Sequence, residues 1–131
     1  MFYKAFLVFL GSGVGGLTRY LLGGWIQRWW GPTFPIDTLI INVSGCLAMG
    51  FLAAMMTGPV LVREEYRIAI LVGILGGYTT FSTFGRETIA LINDREWFCA
   101  ALNVVLGNLL GLIAVWAGAA ISAKLYGNGA S

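Results

Sequence analysis

The sequence predicts an all-α membrane protein with four transmembrane helices, and its composition and apolar runs lead to this fold class. The 131 residues are 58% hydrophobic and 11% charged, with a mean hydropathy of +0.81. Because a soluble domain carries about 25% charged residues, a water-soluble fold could not bury this much apolar surface. Four apolar runs are long enough to cross a hydrocarbon core of about 30 Å. The connections between them are short and contain all three prolines.

The chain is predicted to form one membrane domain over residues 1–131. Its four predicted spans are residues 5–27, 38–57, 68–92 and 97–121. The first span starts like a secretory signal peptide, since Lys4 precedes the apolar stretch AFLVFL. The run continues past GSGVGG to Trp25 and contains Arg19. We therefore predict a first transmembrane helix here, with a cleaved signal as the alternative.

Composition excludes several kinds of chemistry. The chain has no histidine, so imidazole acid–base catalysis and imidazole metal sites are ruled out. Cys46 and Cys99 lie inside apolar runs and form no close-spaced ligand pair, so we interpret them as small buried hydrophobic residues. The segment GSGVGG lacks the Lys-Ser/Thr of a phosphate-binding loop. The sequence also contains no run of basic residues that could bind nucleic acid. We expect neither an enzyme nor a nucleic-acid partner, and we expect the protein to act within the lipid bilayer.

Basic residues are distributed evenly between the two sides of the predicted membrane domain. One side holds Lys4, Arg63, Arg67 and Lys124. The other holds Arg28 and Arg95, together with Arg19 and Arg86 if each is counted toward the span end that it lies nearer. Orientation normally follows an excess of lysine and arginine on one side, and here there is none. Either another feature sets the orientation, or the chain inserts both ways and pairs with an inverted copy of itself. An antiparallel homodimer would reproduce the inverted repeats of many transporters, and the charge balance favours this dual topology.

Glycines at small-xxx-small spacing predict close helix packing. The pairs are Gly11 and Gly15, Gly73 and Gly77, and Gly107 and Gly111. Such pairs let the backbones of membrane helices approach each other. In the fourth span, Asn103, Gly107, Gly111, Ala114 and Gly118 recur at helical spacing and form one small face. We expect these faces to support oligomerisation in a tightly packed assembly. A hydrogen bond between helices is one of the open roles for Asn103 or Asn108.

The third span contains an unusual polar segment, Gly76–Glu87, with the sequence GGYTTFSTFGRE. Helical spacing places Thr80, Thr83, Phe84 and Glu87 on one face, with Phe81 on its edge. The adjacent glycines predict a helix broken near Gly76–Thr79. Backbone can unwind at membrane depth only where it is buried in protein or lines a cavity. Freed carbonyls then suit a small cation, and the N–H groups that open the next helix suit an anion.

Each of these features has an ordinary alternative. Serine and threonine in membrane helices commonly bond to the preceding turn, and two phenylalanines three residues apart commonly pack against lipid or core. Arg19 lies about two turns before the predicted end of the first span, and its long side chain could extend toward the interface. The clustering of these residues in one segment favours an ion site over these separate explanations.

Four segments of the sequence together resemble a known family, the small dual-topology fluoride channels (Fluc, also called CrcB-type). They are GVGGLTRY in the first span, DTLIINVSGCLAMG in the second, GILGGYTTFSTFGRE in the third, and an asparagine- and glycine-rich fourth span. The resemblance covers nearly the whole chain. It implies an antiparallel homodimer with two fluoride pathways and passive fluoride efflux across a bacterial or archaeal inner membrane.

The resemblance also implies roles for individual residues. Phe81 and Phe84 would line the pore, and Asn42 would contact the anion through its amide. Main-chain oxygens of Gly76 and Thr79 would bind a structural sodium ion at the dimer centre. The remaining roles are a polar track formed by Ser82, Thr83 and Glu87, a vestibule residue, Arg19, and the helix-packing residues Asn103, Gly107 and Gly111.

Two other function classes fit the sequence less well. Small proton-coupled drug exporters also have four helices, but they depend on a carboxylate in the first span, which here holds Arg19 and no acidic residue. A subunit that only packs in a larger membrane complex would need no helix break.

Overall fold

The structure is a computed structural model, and it describes residues 1–127. The predicted domain end at residue 131 lies outside the described residues. Four helical spans are present, as predicted: Phe2–Trp30, Ile36–Met56, Glu64–Asn93 and Trp97–Tyr126. All regular structure within residues 1–127 is helical. The observed helices extend beyond several predicted ends because helical hydrogen bonding continues past the apolar part of each run.

We number the helices in chain order. Helix α1 is Phe2–Trp30, α2 is Ile36–Met56, α3 is residues 64–78, α4 is Phe81–Asn93 and α5 is Trp97–Tyr126. Helix α3 begins as the α-helical segment Glu64–Ile68, widens into a π-helical segment, Ala69–Leu75, and ends with the α-helical turn Gly76–Tyr78. Helices α3 and α4 together make the third span.

The third span is broken at Thr79 and Thr80, not at the glycines before them. Thr79 has ψ 157° and Thr80 has φ −150° and ψ 116°, so both residues are extended. Gly76 is helical, with φ −62° and ψ −38°. The predicted break near Gly76–Thr79 is therefore present at the last residue of that range and extends to Thr80, whereas the two glycines stay helical. Gly77 serves close packing instead, since a Cβ there would lie 2.6 Å from the carbonyl oxygen of Ser12 on α1.

The glycine pairs of α1 and α3 face each other within one chain. A Cβ at Gly11 would lie 2.6 Å from the Ala69 carbonyl oxygen, and a Cβ at Gly15 would overlap the Ile74 carbonyl oxygen. Gly73 likewise approaches the backbone of α1. These pairs therefore pack helices of a single chain and give no support to an oligomer, contrary to the interpretation drawn from their spacing.

Helices α2 and α5 cross at a second pair of small residues. A Cβ at Gly50 would overlap the Val115 carbonyl oxygen, and a Cβ at Gly118 would overlap the Leu47 carbonyl oxygen. Lys4 on α1 forms an ion pair of 3.2 Å with Glu64 on α3, which places the starts of these helices on the same side. The first crossing holds α3 against α1, and the second joins α2 to α5.

Candidate functional site

The break is held by a side chain of a neighbouring helix. Asn42 on α2 donates from Nδ2 to the Thr80 carbonyl oxygen at 2.9 Å, and its Oδ1 accepts from the Thr80 N–H at 2.8 Å. The Thr80 hydroxyl oxygen accepts from the Thr83 N–H at 3.2 Å and so caps α4. The amide group retains a second N–H on Nδ2. Asn42 therefore fixes the break and can still donate into the adjoining space.

The two phenylalanines of the segment lie side by side at the start of α4. Their ring centroids are 5.6 Å apart, with 42° between the ring planes. Within a single chain Phe81 is 80% exposed. Phe84 is half-buried against α5, where a Cβ at Gly107 would lie 2.9 Å from the Phe84 ring. Gly107 thus leaves the space that the Phe84 ring occupies.

Both rings line a cavity of about 260 Å³ beside the break. The predicted residues Asn42, Thr79 and Gly107 line the same cavity. Its remaining lining residues are Gly45, Cys46, Met49, Thr80, Asn108 and Val115. All of these side chains are uncharged. Cys46 is half-buried in this lining, so it is less buried than its interpretation as a small buried residue implied.

A second cavity, of about 410 Å³, lies on the other side of Thr80, which lines both. The predicted residues Arg19, Thr83 and Glu87 line this cavity. Further polar residues line this cavity that were not predicted as site residues, among them Gln27, Asp37, Thr38 and Arg86. Ser82 is exposed and lies outside the lining of both cavities.

Glu87 is tied to α2 at the second cavity. The Thr38 hydroxyl donates to Glu87 Oε1 at 2.8 Å, whereas Glu87 Oε2 is buried without a hydrogen-bond partner among the described residues. Gln27 Nε2 donates to Asp37 Oδ2 at 3.0 Å beside this pair. A third cavity, of about 460 Å³, shares Gln27, Asp37 and Glu87 and reaches the loops before α2 and before α5. The three cavities therefore adjoin one another from the break to one end of the bundle.

Main-chain carbonyls at the break lose their helical donors, among them those of Gly76 and Thr79. In a continuous helix the Gly76 carbonyl would accept from the Thr80 N–H and the Thr79 carbonyl from the Thr83 N–H. Here the Thr80 N–H donates to Asn42, and the Thr83 N–H donates to the Thr80 hydroxyl oxygen. These are the two carbonyls that the resemblance assigns to sodium, and main-chain oxygens are ligands suited to a hard cation.

The packing residues of α5 have different roles. Asn103 is 2% exposed and donates from Nδ2 to the Thr88 hydroxyl oxygen on α4 at 2.9 Å, which gives it the interhelical role that the sequence left open. Asn108 instead donates to the Val104 carbonyl of its own helix. A Cβ at Gly111 would make an ordinary contact of 3.6 Å with Cys46 Sγ.

Several of these contacts could not be seen in the local pattern. The pair Thr38–Glu87 joins residues 49 positions apart. Asp37 lies in the quoted segment DTLIINVSGCLAMG, which is the only sequence signal that pointed to this end of α2. Thr80 belonged to the predicted polar face, but its extended backbone and its bonds to Asn42 depend on how α2 packs.

Comparison with known proteins identifies the family. A family model described as CrcB-like protein, Camphor Resistance (CrcB), matches residues 6–119. Three similar proteins carry the name Fluoride-specific ion channel FluC. The one from Methylococcus capsulatus is 48% identical over 120 residues, which are 92% of this chain and 53% of that protein. The one from Solibacter usitatus is 42% identical over 92% of this chain and 99% of its own length. The one from Paramagnetospirillum magneticum is 47% identical over 86% and 89%, respectively.

This chain spans about half the length of the Methylococcus relative and nearly all of the Solibacter relative. Identity at this level over most of the chain confirms the resemblance drawn from the four sequence segments. The relatives are named as ion channels, a class without enzymatic activity, and the four helices make the chain a multi-pass membrane protein. The chain therefore belongs to the CrcB-like family.

Proposed function

We propose that this protein is a fluoride-selective channel that lets fluoride leave the cell passively, as an antiparallel homodimer with two pores and a structural sodium ion at its centre. One observation carries the proposal: the break at Thr79 and Thr80 lies between an uncharged cavity lined by two aromatic rings and a polar cavity. The choice of fluoride as the conducted ion rests on the names of the relatives, which are fluoride-specific ion channels.

The lining of the first cavity suits a small anion that holds water strongly. Such an ion must exchange its water for other hydrogen-bond donors, and Asn42 has an N–H left after its bond to Thr80. Aromatic rings carry a positive edge, so Phe81 and Phe84 can stabilise an anion without a full charge. Conduction needs binding strong enough for entry and weak enough for exit, which an uncharged lining provides.

The second cavity suits the approach of the ion from water. Arg19 and Arg86 contribute positive charges that attract anions, and Asp37 in the same lining offsets part of that field. Thr83 offers a hydroxyl. Glu87 works against an anion when charged, and the Thr38 hydroxyl occupies one of its oxygens. In this proposal the ion passes Thr80, the residue that both cavities share.

A second copy of the chain would cover side chains that a single copy exposes to the bilayer. Phe81 is 80% exposed, and the Ser44 and Tyr78 hydroxyls form an exposed pair 2.9 Å apart. Polar groups inside a membrane normally face protein or water rather than lipid. The even distribution of basic residues supports an inverted orientation of that copy.

The sodium site is supported by the carbonyls released at the break. Gly76 and Thr79 supply two oxygens in each chain, and two inverted chains would supply four around one ion. The ion would provide positive charge at the dimer centre and satisfy carbonyls that are costly to leave unpaired in a membrane.

The test is passive fluoride efflux from liposomes that contain only the purified protein, with chloride as the control ion. Wild type should empty fluoride-loaded vesicles, and Phe81→Ile should slow the efflux sharply because the ring edge is removed. Phe98→Ile is the matched control, since Phe98 is exposed and lines none of the cavities described above. Equal passage of chloride would reject selectivity, and proton-driven uptake of organic cations would indicate an exporter.

Topology and sodium need separate tests. After Cys46 and Cys99 are replaced, a cysteine at position 61, in the exposed loop before α3, can be labelled from outside intact cells. The antiparallel proposal expects about half of the chains to be labelled. All or none would exclude it. Replacing sodium with N-methylglucamine should shift the purified protein from dimer to monomer in light scattering, whereas an unchanged mass would argue against a structural ion.

A further inference from the structure

Arg19 of α1 contacts the end of α3 directly. Its Nε donates to the Gly77 carbonyl oxygen at 3.2 Å. Helix α1 can bring the side chain this close because Gly15, one turn earlier, has no Cβ. A Cβ there would overlap the Ile74 carbonyl oxygen and lie 2.8 Å from the Tyr78 nitrogen. The glycine crossing of α1 and α3 therefore positions Arg19 beside the break.

The carbonyl that Arg19 contacts is one that the break deprives of its usual partner. In a continuous helix Gly77 would accept from the Phe81 N–H, but two extended residues separate α3 from Phe81, which begins α4. The Arg19 N–H takes the place of that donor. The C-terminal end of a helix also carries partial negative charge, which a cation stabilises.

We infer that Arg19 is a positioning residue, which holds the last turn of α3 and thereby the path of the chain into Phe81. Arg19 fixes the break on its upstream side at Gly77, and Asn42 fixes it on its downstream side at Thr80. Only two residues, Tyr78 and Thr79, lie between the two anchored positions. This inference goes beyond a role for Arg19 as a source of positive field, and its consequence for transport rests on the proposed function.

Three substitutions separate positioning from charge. Arg19→Gln places Nε2 at the same distance along the side chain as the arginine Nε, so it keeps the donor and removes the charge. Arg19→Met places a methyl group at that position and removes both. Arg19→Lys keeps the charge but puts a methylene where Nε was. The comparison of the glutamine and methionine variants is decisive, because they differ in the hydrogen-bond donor and share the loss of charge.

The hydrogen bond can be observed without any measurement of transport. Gly77–Tyr78 is the only Gly–Tyr step in the sequence, so protein labelled with carbonyl-¹³C glycine and ¹⁵N tyrosine gives one correlated signal in bilayers. We expect the Gly77 carbonyl signal to move upfield in Arg19→Met and to stay near its wild-type position in Arg19→Gln. An unchanged signal in both variants, or the same shift in both, would overturn the inference.

Transport supplies the second readout. If Arg19 positions the break, maximal efflux at saturating fluoride falls several-fold in Arg19→Met and much less in Arg19→Gln. If it acts only through charge, both variants lose efflux equally, the loss disappears at high fluoride and high ionic strength, and Arg19→Lys behaves as wild type. That second pattern would contradict the inference. A wild-type protein that carries no fluoride would refute the proposed function, and the carbonyl signal would still decide the role of Arg19.

Discussion

Asn42 bonds both main-chain polar groups of Thr80, at 2.9 Å from its Nδ2 to the carbonyl oxygen and 2.8 Å from the N–H to its Oδ1. A side-chain amide thus stands in for a peptide group where the third span has lost its own. The bond pair places an extended residue at membrane depth without leaving either of its main-chain groups unpaired.

Replacement of Asn42 by leucine should destabilise the protein. It leaves the Thr80 N–H without its partner, while the Thr80 carbonyl keeps the first helical bond of α4, and one unsatisfied buried group costs about 1–3 kcal/mol. The free energy of unfolding, measured by SDS titration, should fall accordingly. Asn108→Leu is the control, because that amide bonds only to a carbonyl of its own helix. Equal losses in the two variants would show that the bonds to Thr80 contribute nothing particular.

Alanine at Gly15 should be far more harmful than alanine at the next residue. The Cβ would overlap the Ile74 carbonyl oxygen at Gly15, whereas at Gly16 it would meet nothing within 4 Å. Overpacking of this kind costs about 1–3 kcal/mol, which we expect to appear as a lower yield and a lower Tm for Gly15→Ala. Similar Tm values for the two variants would mean that α1 and α3 separate easily.

Gly107→Ala should impair transport, whereas Gly111→Ala should not. Gly107→Ala would put a methyl group 2.9 Å from the Phe84 ring, which is too close. Gly111→Ala would put one 3.6 Å from Cys46 Sγ, which is an ordinary contact. Because the displaced ring lines the cavity at the break, we expect slower fluoride efflux from vesicles that contain the Gly107 variant. Efflux that is normal in both would show that Phe84 can move without consequence.

Asn103 and Thr88 should be energetically coupled across α5 and α4. Their side chains share a hydrogen bond of 2.9 Å, and interhelical bonds in membranes contribute about 0.6 kcal/mol on average. A double-mutant cycle with Asn103→Ala and Thr88→Val should give a coupling energy of about 1 kcal/mol, since Asn103 is almost fully buried. Additive effects would contradict the bond.

Thr38→Val should disturb the second cavity, and Thr38→Ser should spare it. The valine has the shape of threonine but cannot donate to Glu87 Oε1, so the carboxyl group would lose the bond that ties it to α2. We expect a lower Tm and slower efflux for the valine variant alone. If serine and valine behave alike, the hydroxyl is not what matters at this position.

The four spans could be predicted because long apolar runs respond to one physical constraint, the thickness of the bilayer. The segment Gly76–Glu87 could be selected because polar groups inside a membrane need partners. These predictions depend on local composition and helical spacing, which a single sequence displays directly.

The position of the break could not be predicted to the residue. Glycine permits unwinding, but it equally permits close packing, and only the neighbouring Ser12 shows which applies to Gly77. The spacing of Gly11 and Gly15 is likewise the same whether the facing helix belongs to the same chain or another. The role of Thr38 could not be predicted because its hydrogen-bond partner, Glu87, lies on a different span.

The π-helical segment Ala69–Leu75 makes the third span tolerant of a change in length on one side of the break. Its wide turns contain a residue in excess of what an α-helix requires, because the bonds run from i to i+5 instead of i+4. If one residue is deleted there, the wide turn can tighten to an α-helical turn. The rings of Phe81 and Phe84 then keep their orientation. The same deletion between Thr83 and Glu87 would rotate the carboxyl group by about 100° relative to the rings.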